Sequence, residues 1–234
     1  MQNPKHELRK YLETLIHRFL NTKSLYQELK RIEAWETPGK FQTFKLGAGF
    51  LELSKYTLWR IFLTEMAAIL SSTEQKSLID WLQKARQHAP SLAPTRYNPN
   101  HSYPNRQAIK PQEYRTLIDA HISCLNTHED LITRIKIHRD KVIAHFDKAY
   151  FDNPKKLDQD YPLSDNDITP LMTLVSEIFR KHHSCLFNQD PRMDLLILTN
   201  VDNLLRYARA FLRVRSDRAL IRKGFKPIDY MHDD

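Results

Sequence analysis

Four glycines in 234 residues, at positions 39, 47, 49 and 224, restrict this chain more than any other feature. Phosphate loops of the G-x-x-x-x-G-K-[ST] kind, dinucleotide turns of the G-x-G-x-x-G kind and G-x-S-x-G nucleophile elbows all need glycines that are not there. Hairpins built on Asn-Gly or Asp-Gly turns are missing as well, which disfavours a β-rich fold. What remains is an all-α protein. Its 36 lysines and arginines against 28 acids leave a net charge of +8, so a polyanion is a natural partner.

Periodicity places the helices. Leu8, Leu12, Leu15, Ile16, Phe19 and Leu20 recur at spacings of three and four, and Leu25, Leu29 and Ile32 continue them. This predicts a long helix, or a broken pair, over 4–36, closed by Thr37-Pro38-Gly39. A second apolar helix is expected from Gly49 to Leu70, with Tyr56, Trp59 and, farther on, Trp81 read as core. Ser72 and Gln75 fit a capping box that would restart the chain into a third helix ending near Gln87. Residues 88–112 hold five prolines and no helical period, so a long insertion loop is expected there. That loop carries Arg96, Tyr97, His101, Tyr103 and Arg106, which read either as a plain insertion or as an arm for single-stranded nucleic acid. A helical stretch over 112–146, a loop over 150–163, a helix from Asp167 or Thr169 to Phe187, and a last helix from Asp190-Pro191 to about Arg215 complete the layout. Five to seven helices in one domain over 1–234 are expected.

The longest wholly apolar runs are about five residues, against roughly 18 for a membrane span. The charged start MQNPKHELRK does not read as a signal peptide. Two cysteines, Cys124 and Cys185, supply neither a disulfide framework nor a cysteine-rich zinc site. A cytoplasmic protein without cofactor is expected. His182 and His183 point about 100° apart on a helix and cannot jointly hold a metal as i, i+4 histidines do, so no metal is expected. His138-Arg139-Asp140 spells the kinase tripeptide, but the rest of that signature is missing.

One segment carries chemistry. On a wheel of about 100° per residue, Ile132, Ile135, Val142, Ile143, Phe146 and Leu131 fall within an arc of about 120°, and Arg139 sits in its middle. His138 and His145 lie at its edge. An arginine in an apolar stripe is costly to desolvate unless partnered, and it cannot be neutralised. Either it makes a buried ion pair as plain structure, or the stripe faces a second copy of itself and the arginine lines a cleft between protomers. The wheel leaves both open.

Arg139-Asp140-Lys141-Val142-Ile143-Ala144-His145 resembles the R-x(4–6)-H signature of the HEPN superfamily, helical domains that include many metal-independent ribonucleases of bacterial defence and toxin systems. With the upstream stretch LSKYTLWRIFLTEMAAIL, the segment RDKVIAHFDK is most similar to the U-type abortive-infection (AbiU-like) branch. The resemblance implies a HEPN-like bundle acting as a homodimer, with arginine and histidine of both protomers facing each other. Arg139 would stabilise charge on the phosphorus, His145 would serve as general acid or base while the RNA's 2′-hydroxyl attacks, and Asp140 would orient the pair. It also implies a cognate antitoxin or regulatory protein. A nucleotidyltransferase antitoxin is not expected, because the tyrosine that often stands two residues after the histidine is here Asp147.

The C-terminus is basic. Between residues 206 and 226, Arg206, Arg209, Arg213, Arg215, Arg218, Arg222, Lys223 and Lys226 face Asp217 alone, 8 − 1 = +7. They read as a solvated helix face with cations near its end or as an RNA-binding surface, in which Arg206, Arg209, Arg213 and Arg218 would join Lys141 and His138. The function expected is an endoribonuclease. The rivals are a non-catalytic HEPN-like module that binds RNA or a partner protein, and a scaffolding bundle in which Arg139 is a structural ion pair.

Overall fold

The computed structural model describes residues 4–38, 40–93, 109–144, 150, 154–187, 191, 193, 201, 203–210, 218 and 222. Among them every regular element is helical. The order is α1 (Pro4–Glu33), a 3₁₀ turn (Ala34–Glu36), α2 (Phe41–Leu46), α3 (Ala48–Leu70), α4 (Leu78–Gln87), α5 (Ala89–Leu92), α6 (Pro111–Asn126), α7 (Glu129–His138), a π-helical turn (Arg139–Ala144), α8 (Pro154–Asp160) and α9 (Asp165–Phe187). Residues 203–210 form a further helix, α10. The chain packs as two compact units, one of residues 1–23 and 60–196, the other of 24–59 and 197–234.

In the first unit the leucine and phenylalanine stripe of α1 meets α4 and α9. Leu12, Phe19, Trp81 and Phe179 are wholly buried, Phe19 and Phe179 touch at 5.4 Å, and Trp81 donates its indole N–H to the carbonyl of Leu8 at 2.9 Å. Each such side chain contributes roughly 1.5–3 kcal/mol by leaving water. α9 starts at Asp165, near the expected point. Asp167 folds back to accept from the Ser164 amide (3.1 Å) and hydroxyl (2.7 Å), and Pro170 lies inside the helix, where it has no amide to donate.

The second unit has its own core of Ile32, Trp35, Phe44, Leu51 and Leu205. Buried among its polar groups is Glu28, whose carboxylate accepts from Arg31 (2.9 Å) and from the backbone amide of Val201 (3.3 Å).

Several expectations change. The capping serine before α4 is Ser77, not Ser72: Ser77 is extended (φ −93°, ψ 170°) and its hydroxyl accepts from the Asp80 amide at 3.2 Å. The stretch over 112–146 is two helices broken at Thr127-His128, followed by the π-helical turn. The loop over 150–163 contains α8, and the start of the 88–112 loop contains α5, whose Ala89 and Leu92 are buried. Trp81 is core; Trp59 is half-buried, and Tyr56 is exposed. Residues 94–108 and most of the expected last helix lie outside the described residues.

Candidate functional site around Arg139

α7 is built to hold its C-terminal end in place. Leu131, Ile132 and Ile135 bury one face. Arg134 donates to Asp130 at 3.1 Å and to the carbonyl of Pro162. His138, expected among the RNA contacts, is instead buried, and its Nε2 lies 2.6 Å from the carbonyl of Tyr161. A carbonyl only accepts, so Nε2 carries the proton. Its role here is to pin the helix end to the segment before α9.

Arg139 follows at the point where the helix widens into i→i+5 bonding. Such π turns occur often at functional sites, and they void any wheel drawn at constant angle beyond this residue. The Arg139 side chain is 16% exposed. Its Nε donates to Asp140 Oδ1 at 2.6 Å and its Nη1 to Glu74 Oε1 at 2.8 Å. Burial opposes the charge, but the hydrogen bonds that Arg139 donates to Asp140 and Glu74 outweigh it and hold the guanidinium above its ordinary value. The two carboxylates are 38% and 40% exposed, so the ion pair is shared with solvent on its acidic side.

Glu74 comes from the turn between α3 and α4. In that turn Ser71 is buried, and its hydroxyl pairs with that of Thr73 at 2.9 Å. Lys136, one helical turn before Arg139, donates to Thr73 Oγ1 at 3.0 Å. Lys76 has φ 66°, the left-handed region, at a cost of order 1–3 kcal/mol for a residue that is not glycine. Nearby, Arg18 pairs with Glu65, and that hydrogen bond, with the charges of Glu65 and Glu74, raises its value against the opposing effect of burial.

The structure thus brings Arg139, Asp140, Glu74, Thr73 and Lys136 together. Lys141 extends over the ring of Tyr150 at 5.0 Å. His145, with Phe146 and Asp147, lies outside the described residues, as does Arg213. In the second unit Arg206 is exposed and Arg209 half-buried on α10. Arg218 is exposed and its carbonyl accepts from the amide of Arg222 at 3.2 Å.

A second polar cluster had no sequence signal. His182 is wholly buried, with Nδ1 3.1 Å from the Tyr114 hydroxyl and Nε2 2.9 Å from His121 Nδ1. The Trp81 ring meets it edge-on at 5.0 Å. Burial, with His121 adding, pushes His182 well below the ordinary imidazole value. Burial also lowers His121, aided by Lys181 and opposed by Glu177. Among the described residues no group of three or more His, Cys, Asp or Glu side chains could hold a metal ion, and no helix is long and apolar enough to cross a membrane.

The family model HEPN_AbiU2, described as AbiU2, matches residues 61–207, more than half of the chain and the whole of the Arg139 cluster. No curated protein and no solved structure gives a match.

Proposed function

We propose that this chain, which belongs to the AbiU2 family of HEPN proteins, is a metal-independent endoribonuclease of a bacterial defence or toxin system that works as a homodimer. The observation that carries this reading is a permanent cation held half-buried at a π-helical turn, with two carboxylates as its partners. Arg139 stabilises the negative charge growing on the phosphorus, since a guanidinium presents paired donors to phosphate oxygens. His145, six positions on, takes the proton from the RNA's 2′-hydroxyl or gives one to the departing 5′-oxygen, work suited to a group titrating near neutrality. The products are a 2′,3′-cyclic phosphate and a 5′-hydroxyl. Asp140 orients the guanidinium, consistent with its 2.6 Å bond. Arg206, Arg209, Arg213 and Arg218 add affinity for the RNA backbone, with Lys141 near the site. A cognate antitoxin or regulatory protein restrains it.

A second reading is favoured by the same ion pairs. With Arg139 neutralised by Asp140 and Glu74, the module binds RNA or a partner without cutting. Incubation of the purified protein with total RNA in EDTA separates the two. Cleavage that persists in EDTA and disappears in a folded His145→Ala variant supports the enzyme. RNA retention with no cleavage supports the binding module.

A further inference from the structure

The ion pair on Arg139 is asymmetric. Asp140 is its chain neighbour and moves with it, whereas Glu74 reaches it from the α3–α4 turn, 65 residues away in sequence. Glu74 is 40% exposed and belongs to the turn, not to either helix. The same turn also holds the second cation, because Lys136 is bonded to Thr73. Closed, the group of Arg139, Lys136, Asp140 and Glu74 sums to 2 − 2 = 0. With Glu74 withdrawn it becomes 2 − 1 = +1 and Arg139 Nη1 loses its partner; Lys136, one helical turn away, is released from Thr73 only when the turn itself moves. The closed turn is not a relaxed one, since Lys76 keeps a left-handed backbone (φ 66°).

We propose that Glu74 is a displaceable carboxylate standing where a phosphodiester binds, so that the turn 71–77 gates the Arg139 site by exchanging one anion for another. A carboxylate and a phosphate present oxygens to a guanidinium in the same paired geometry, so the bond that Glu74 makes at 2.8 Å is the one an incoming phosphate oxygen replaces. In the closed form Glu74 occupies that position on Arg139, and whatever draws the turn away exposes Arg139 and Lys136 together. This gate rests on the reading of Arg139 as a phosphate-binding group.

The test measures binding apart from cleavage. A fluorescein-labelled, 2′-O-methyl oligonucleotide, which lacks the attacking hydroxyl, is titrated with the full chain by anisotropy across a salt series. Glu74→Gln should bind about tenfold more tightly than wild type, with a salt slope steeper by about 0.7, as for one extra phosphate neutralised on a single strand. Adding Arg139→Met should erase that gain, and Glu113→Gln, which removes an exposed acid elsewhere, should reproduce little of it. A folded Glu74→Gln protein that binds no more tightly overturns the gate, as does a gain that survives Arg139→Met. Where Glu74→Gln fails to fold, Glu74→Asp retracts the carboxylate by one methylene and should give about threefold; no gain there overturns it too. Cleavage of unmodified RNA, run in parallel, keeps the two ideas apart. Tighter binding by Glu74→Gln with no cleavage by any variant upholds the gate and overturns the ribonuclease. Cleavage unchanged by Glu74→Gln, with binding also unchanged, does the reverse.

Discussion

Two polar clusters lie in the same unit, and they meet burial in opposite ways. His182 is sealed among α4, α6 and α9, and the cost of its burial falls because an imidazole can stay neutral. One nitrogen donates, the other accepts, and Tyr114 and His121 satisfy them in either direction. Arg139 has no neutral form, so it stops at the edge, where Asp140 and Glu74 pair with it and share it with water. A group that can lose its charge serves the core; one that cannot is kept where an anion can reach it. On the function proposed above, the histidine cluster serves stability and the arginine cluster serves phosphate binding.

The largest effect should come from His182→Phe. The ring volume is kept, but the buried Tyr114 hydroxyl and His121 Nδ1 are left without their partner, at about 2–4 kcal/mol by the usual cost of stranded polar groups. Urea unfolding measures this, and a loss below about 0.5 kcal/mol would break the assignment. Next in size is pH. The folded values of His182 and His121 are lowered, so the unfolded chain takes up protons first as pH falls below about 6.5. Stability should be full above that pH and decline below it, by about 1.4 kcal/mol per pH unit for each proton. The decline should be shallower in His182→Phe; an identical slope would mean that the buried ring does not titrate.

The sequence pointed to Arg139 and to Asp140 beside it but not to the distant carboxylate that completes the pair, for physical reasons. An arginine interrupting an apolar period is a local anomaly and visible on a wheel. The acid that answers it is one of 28, and nothing local marks Glu74, which reaches the guanidinium only through folding. Likewise Tyr114 and His121, two turns apart on α6, meet His182, 61 residues beyond His121, only when α6 packs on α9. Ser77-Leu78-Ile79-Asp80 does carry a capping signal; the Ser72–Gln75 pair upstream competed with it and lost to the left-handed turn at Lys76. The π turn escaped because a wheel assumes one pitch. The long apolar helices were legible, and the short α2, α5 and α8 were not, because each spans too few residues to show a period.

Smaller effects sharpen the other side of the comparison. Arg139→Met should change unfolding free energy by no more than about 1 kcal/mol, since both carboxylates it leaves are reached by water; a wholly buried pair would cost roughly 3–5 kcal/mol. Smallest per residue is the basic C-terminus. Neutralising Arg209, Arg213 and Arg218 should flatten the salt dependence of RNA binding by about 0.7 for each phosphate that is no longer neutralised. An unchanged slope in the triple variant would leave that face as solvated helix surface.

The most direct test of the division between the two clusters is to measure unfolding and RNA cleavage in EDTA for Arg139→Met and His182→Phe side by side. Arg139→Met should melt close to the wild type and cut no RNA. His182→Phe should be markedly less stable yet cleave at the wild-type rate per folded molecule. An Arg139→Met protein that keeps its cleavage, or one that loses several kcal/mol of stability while His182→Phe loses none, would contradict the account.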